Sequence, residues 1–106
     1  MIRHLVHLRF QNDIETSQKK ALYERLESLV PRIDGVEDFQ YRENVSVETP
    51  LVRGFLDMFW FDFRDETARD AYLVDEEHQA IGGDIVACLE GEAEGVFVCD
   101  IELYCH

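Results

Sequence analysis

The sequence predicts an α+β fold, with one four-stranded antiparallel sheet and its helices packed on one face. Two observations carry this. Four stretches alternate apolar and polar residues with the period of a strand, and the segments joining the first to the second and the third to the fourth switch to a helical period. The third of these strands, Gly54 to Phe63, is apolar on both faces, so a single helical layer leaves one side of it to be covered by something else.

Ile2 to Phe10 alternates strictly, with Ile2, His4, Val6, Leu8 and Phe10 on one face and Arg3, Leu5, His7 and Arg9 on the other. This is the first strand, and His4 sits within its apolar row. Gln11-Asn12-Asp13 breaks the pattern. From about Thr16 a helical stripe of Leu22, Leu26, Leu29 and Val30 begins, with Glu15 and Lys19 spaced as a favourable i,i+4 pair and Pro31 closing the run. After the Asp34-Gly35 turn, Val36 to Val45 reads as the second strand, with Phe39 and Tyr41 opposite Gln40 and Arg42. Asn44 to Pro50 lacks an apolar pattern and reads as a loop. In the third strand, Phe55, Phe59, Phe61 and Phe63 share one face and Leu56, Met58 and Trp60 the other.

Asp65 is a good N-cap for a short helix carrying Ala68, Ala71 and Tyr72, with Asp65 and Arg69 as a second acid–base pair. A bend at Asp75 to Glu77 follows. The last helix is expected from near Glu77 to Leu89, burying Ile81, Ile85 and Leu89; Gly82-Gly83 weakens it and Gly91 suits its C-terminal cap. Val96 to Leu103 closes the sheet. The order β-α-β-β-α-(α)-β is the split βαβ, ferredoxin-like pattern. Leu56, Met58 and Trp60 face away from the helices, and the expected cover for them is a second copy of the chain, a two-fold dimer with sheets face to face.

A length of 106 residues is near the commonest size for one domain, so residues 1–106 are read as a single unit. The 46% of apolar residues suffices for a core. A formal charge of −13, from 23 acids against 10 bases, opposes nucleic-acid phosphates and anionic membrane surfaces, so neither is an expected partner. No secretory or membrane-spanning pattern is found, which makes the expected location cytoplasmic. Cys88, Cys99 and Cys105 are odd in number and lack a C-x-x-C spacing, so free thiols are expected rather than disulfides or zinc. Cys105-His106, at a chain end, makes a poor metal cage.

Five segments together resemble the stress-responsive A/B barrel (Dabb) family: Ile2 to Phe10, Asp34-Gly35-Val36, Asn44-Val45-Ser46, Phe61-Asp62-Phe63-Arg64-Asp65-Glu66, and Ala71-Tyr72-Leu73 with His78-Gln79-Ala80. The resemblance covers nearly the whole chain and implies a dimeric α+β barrel built from two ferredoxin-like subunits. Most members of that family have no established reaction. In its plant polyketide cyclases a tyrosine and a histidine at the places of Tyr72 and His78 serve an aldol cyclisation, with a further histidine corresponding to His4. The chain departs from the family in having Asp75-Glu76 where His-Pro is common, and Phe55-Leu56-Asp57 where Tyr-Thr-His is common. Acids at the pocket mouth would disfavour an anionic polyketide and raise the pKa of His78.

For the candidate catalytic residues His78, Tyr72 and His4, two readings stand side by side. His78 is a general base acting next to a carbonyl, or a histidine that caps the last helix or pairs with Glu76 or Glu77. Tyr72 donates a hydrogen bond to a developing oxyanion, or anchors its helix with the hydroxyl at the surface. His4 is a polar group in a mainly apolar pocket, or a satisfied core histidine. His7, on the other strand face, is expected to meet the dimer partner. The pocket walls are expected from Val6, Leu8, Ile81 and Ile85. His4, His78 and Asp57 match no metal-ligand signature, and neither metal nor cofactor is expected. Three functions follow as alternatives: a dimer that binds a small hydrophobic or carbonyl-containing molecule, a cofactor-free lyase, cyclase or isomerase, and a non-catalytic stress-related structural protein.

Overall fold

A computed structural model describes residues 1–104, so the reading of Cys105 and His106 lies outside the described residues. The chain runs β1 (Ile2–Leu8), α1 (Thr16–Glu27), β2 (Val36–Glu43), a one-turn α2 (Thr49–Val52), β3 (Asp57–Phe63), α3 (Glu66–Leu73), α4 (Glu76–Ala87), a 3-10 turn (Glu92–Gly95) and β4 (Val96–Glu102). The sheet order is β2-β3-β1-β4 with every neighbouring pair antiparallel.

The sheet's inner face and the helices enclose one core, which includes Val6, Leu8, Phe39, Phe61 and Phe63 from the strands and Leu26, Tyr72, Ile81 and Ile85 from the helices. Burying each large apolar side chain contributes about 1.5–3 kcal/mol, which is why the alternating rows settle the strand orientation. Asp65 caps α3 as its position suggested, accepting the Ala68 N–H at 2.9 Å, and Asp75 caps α4 by accepting the His78 N–H at 2.9 Å.

Besides shifts of one or two residues at the ends of α4 and β4, these boundaries differ from the sequence reading. β1 stops at Leu8 because the next residues pair with the segment after α4: the Arg9 N–H donates to the Gly95 carbonyl and the Gln11 N–H to the Cys88 carbonyl. β2 ends at Glu43, where the Asn44 side chain donates to the Phe55 carbonyl and accepts from the Ser46 N–H. The expected loop at Asn44 to Pro50 already contains the start of α2. β3 begins at Asp57 and not Gly54, since Arg53 and Gly54 take left-handed φ values of 56° and 78° that end any extended run. Phe55 therefore leaves the phenylalanine row and lies under the Arg9 guanidinium, 4.9 Å from its ring centroid.

The same turn removes Leu56 from the strand and leaves it 57% exposed. Met58 and Trp60 do lie on the outer sheet face, where Arg3 and Arg42 flank the Trp60 ring at 5.1 and 5.6 Å. Arg3 pairs with Asp62 at 2.9 Å, so the outer face is apolar with a charged patch and not apolar throughout. His7 is half-buried on this face beside Phe97, and burial lowers its pKa.

Candidate functional site

The inner face of the sheet fixes the site. In register, Phe61 lies opposite His4, and His4 opposite Asp100; one row further along, Phe59, Val6 and Val98 stand side by side, and beyond them Leu8 pairs Val96. Side chains shrink from aromatic to aliphatic toward the β4 edge. Under that half of the sheet, α3 and α4 leave a cavity of ≈ 330 Å³ lined by residues that include His4, Val6, Leu8, Phe59, Tyr72, His78, Ile85, Val98 and Asp100. Gly82 of α4 also faces this cavity, and a Cβ built there would meet nothing within 4 Å.

The three candidate catalytic residues therefore surround one space. Tyr72 lies in the last turn of α3 and His78 in the first turn of α4, and the break between the helices stacks their rings with centroids 3.8 Å apart. The His4 ring meets Tyr72 edge-on at 5.8 Å. Of the expected walls, Val6, Leu8 and Ile85 line the cavity. Ile81 does not; it is buried in the core.

Tyr72 is only 1% exposed, so its hydroxyl is not at the protein surface. Burial, followed by the Asp75 charge, pushes its pKa up and keeps the phenol protonated, a state that donates a hydrogen bond. For His78 the expected upward shift is corrected: its pKa lies below the ordinary 6.5, and burial is the first cause. The acids beside it in sequence act elsewhere. Asp75 is held by the Arg32 guanidinium at 2.6 Å and by capping α4, and Arg32 also reaches Glu77 at 3.2 Å. Those contacts keep the Asp75 carboxyl below the usual range. The Tyr72 carbonyl pulls His78 weakly toward imidazolium, but no well-formed hydrogen bond reaches Nδ1, which is buried without a partner.

The sequence reading missed Asp100. Its Oδ1 lies 2.6 Å from His4 Nδ1, and its Oδ2 accepts from Arg69 Nη1 at 3.1 Å. A lone acid on an inner row of Val96 and Val98 was the available signal, since an acid there needs a partner. Arg69 was expected to pair with Asp65 and instead bridges Asp70 and Asp100. Lys19 likewise reaches Asp57 at 2.9 Å and not Glu15, and Asp57 opens β3 opposite Leu8, away from His4, which lies opposite Phe61. Among the described residues, no group of three His, Cys, Asp or Glu is clustered to hold a metal, and no helix is long and apolar enough to cross a membrane.

Other hollows are present as well. One of ≈ 320 Å³ beside α1 is lined by Lys19, Tyr23, Tyr41 and Asp57 among others, and one of ≈ 500 Å³ on the outer face by residues including His7, Leu51, Phe55 and Phe97. Neither gathers a phenol with two imidazoles, so the cavity under β1 and β4 is the candidate site.

The sheet order and helical layer define a ferredoxin-like α+β domain with an apolar cavity between its layers. Residues 2–103 match the Stress responsive A/B Barrel Domain, and the chain belongs to that family. Among solved structures, a dimeric ferredoxin-like protein of unknown function from Jannaschia sp. CCS1 is 29% identical with a TM-score of 0.86, covering 96% of this chain and 98% of the other. An Arabidopsis thaliana protein is 20% identical with a TM-score of 0.86, covering 100% and 98%. The hydroxynitrile lyase from Passiflora edulis is 10% identical with a TM-score of 0.80, covering 97% and 93%. At these identities the last two show a shared fold alone. No curated protein matches the chain.

Proposed function

We propose that the protein is a homodimer that binds a small, uncharged, hydrophobic or carbonyl-containing molecule in the cavity between β1, β4 and the α3–α4 pair. The observation that carries this is the ≈ 330 Å³ hollow itself, with mainly apolar walls and four polar side chains, His4, Tyr72, His78 and Asp100, facing one space. No lysine or arginine lines it, so nothing there compensates an anionic ligand, whereas a protonated phenol suits a carbonyl oxygen. Dimerisation is supported by the uncovered apolar residues Phe97 and Ile101 on the outer face and by the relative described as dimeric.

Titration with butyrophenone, a neutral aryl ketone, tests the binding reading. Saturable binding that raises the unfolding midpoint is expected, since a ligand at 100 times its Kd adds about 2.7 kcal/mol to stability. No stabilisation by butyrophenone or shorter alkyl phenyl ketones would leave the structural reading. Sedimentation at micromolar concentration tests the assembly: a monomer would refute it, and Trp60→Asp is expected to give monomer or aggregate, because it removes the largest apolar side chain of that face and puts a charge between the sheets.

A second reading, cofactor-free chemistry beside a carbonyl, is favoured by one observation: the lowered pKa of His78 leaves a neutral imidazole stacked on a protonated phenol. In that reading His78 removes the proton and Tyr72 donates to the enolate oxygen. Turnover of a carbonyl substrate lost in His78→Gln, with affinity held within about tenfold (1.4 kcal/mol), would support it. Full activity in His78→Gln would refute the base assignment.

A further inference from the structure

Asp100 belongs to β4, which is the edge strand of the sheet, so no further strand braces its carboxylate. Its two oxygens are nevertheless both engaged, Oδ1 with His4 Nδ1 at 2.6 Å and Oδ2 with Arg69 Nη1 at 3.1 Å. An ionised carboxylate only accepts hydrogen bonds, so the neutral His4 ring must carry its proton on Nδ1. That leaves the lone pair on Nε2, the nitrogen remaining for anything held in the cavity. Arg69 reaches this carboxylate from α3, one helical turn before Tyr72. It is itself oriented by Asp70, which accepts from Nε at 3.1 Å and Nη2 at 3.0 Å. The guanidinium is planar and its nitrogens point in fixed directions, so binding Asp70 along one edge aims Nη1 at Asp100.

We propose that Arg69 is a positioning residue for the cavity: through Asp100 it holds His4 as the Nδ1–H tautomer, with the Nε2 lone pair free to accept a hydrogen bond or a proton from a molecule bound there. This rests on the reading of the cavity as a binding site, but the device itself is present without any ligand. Without Arg69, Asp100 Oδ2 faces solvent from an edge strand and its side chain is free to rotate, which releases Nδ1 and lets the proton occupy either nitrogen.

Two-bond proton–nitrogen correlation spectra of the ¹⁵N-labelled full chain, recorded above the histidine titration range and with the His4 signals assigned through His4→Gln, report the tautomer directly. In the unaltered protein His4 is expected as a single Nδ1–H species. Arg69→Gln is expected to give a mixture with a readily visible Nε2–H population, and Asp70→Asn a much smaller change. Should Arg69→Gln fail to fold, Arg69→Lys, which keeps the charge without the planar fork, is expected to shift the tautomer in the same direction. A single Nδ1–H species in a folded Arg69 variant would overturn the proposal, as would an Nε2–H tautomer in the unaltered protein. Butyrophenone titration of the same samples is read separately: failure to bind removes the function of the cavity, whereas an unmoved tautomer removes the role of Arg69.

Discussion

The two halves of the inner sheet face are built on the same backbone and covered by the same helical layer, yet one is filled by aromatic rings with a polar hollow at its α1 side and the other is open beneath aliphatic side chains. Under β2 and β3, Phe39, Phe59 and Phe61 pack with ring centroids 4.8 to 6.1 Å apart, and Tyr23 of α1 closes the group by stacking on Tyr41 at 4.4 Å. Under β1 and β4 the same rows continue as His4, Val6 and Leu8 and then Asp100, Val98 and Val96. His4 and Asp100 reach α3 at Tyr72 and Arg69, whereas the shorter Val6, Val98 and Val96 leave space beside them, and the helix above adds Gly82 where a larger residue would enter that space. Stability and site are thus divided by register: the aromatic half holds the fold, and the aliphatic half leaves room for chemistry.

Phe61→Ala should expose that division most strongly. The residue is fully buried and touches Phe39, Phe59, Phe63 and Tyr72, so a loss of about 3–5 kcal/mol is expected in denaturant unfolding. Val98→Ala, in the hollow half, trims a side chain that is 50% exposed and is expected to cost under about 1 kcal/mol. Similar losses in the two variants would break the comparison.

Gly82→Ala works in the opposite direction. Alanine in a helix interior is better than glycine by about 0.8–1.0 kcal/mol, and the space above Gly82 is open. A gain in stability of about that size, with weaker butyrophenone binding, is expected. Tighter binding with no gain would mean that Gly82 does not hold the cavity open.

The smallest expected effect is the pH dependence contributed by His78. Its folded-state pKa lies below 6.5, so near and below that pH the unfolded chain binds more protons than the folded one. Its contribution is therefore complete above about pH 6.5 and is lost as the pH falls through the folded-state value. Unfolding curves at pH 8 and pH 5.5, at one protein concentration, should show a smaller drop for His78→Gln than for the unaltered chain. The remaining slope includes His7, whose pKa is lowered in the same direction. A steeper slope in the variant would mean that His78 is stabilised as imidazolium.

What the sequence by itself determined was local and periodic. Alternation placed His4 on the buried row of β1 and Phe59, Phe61 and Phe63 on one face of β3, and the helix start at Asp65 was legible because a cap bonds a backbone N–H three residues away. The meeting of Tyr72 and His78 was foreshadowed by the break between two helical patterns. Only the tertiary structure decided which charges face which. Asp100 stands 96 residues from His4 and becomes its partner through antiparallel register. Arg69, Lys19 and Arg32 turned away from acids close in sequence, or drew those acids away from His78, because their long side chains reach oxygens brought near by other elements. The sign of the His78 shift followed from that: sequence neighbours supplied the charge, but the fold neutralised the nearest of it with Arg32 and buried the imidazole, and desolvation outweighed what was left.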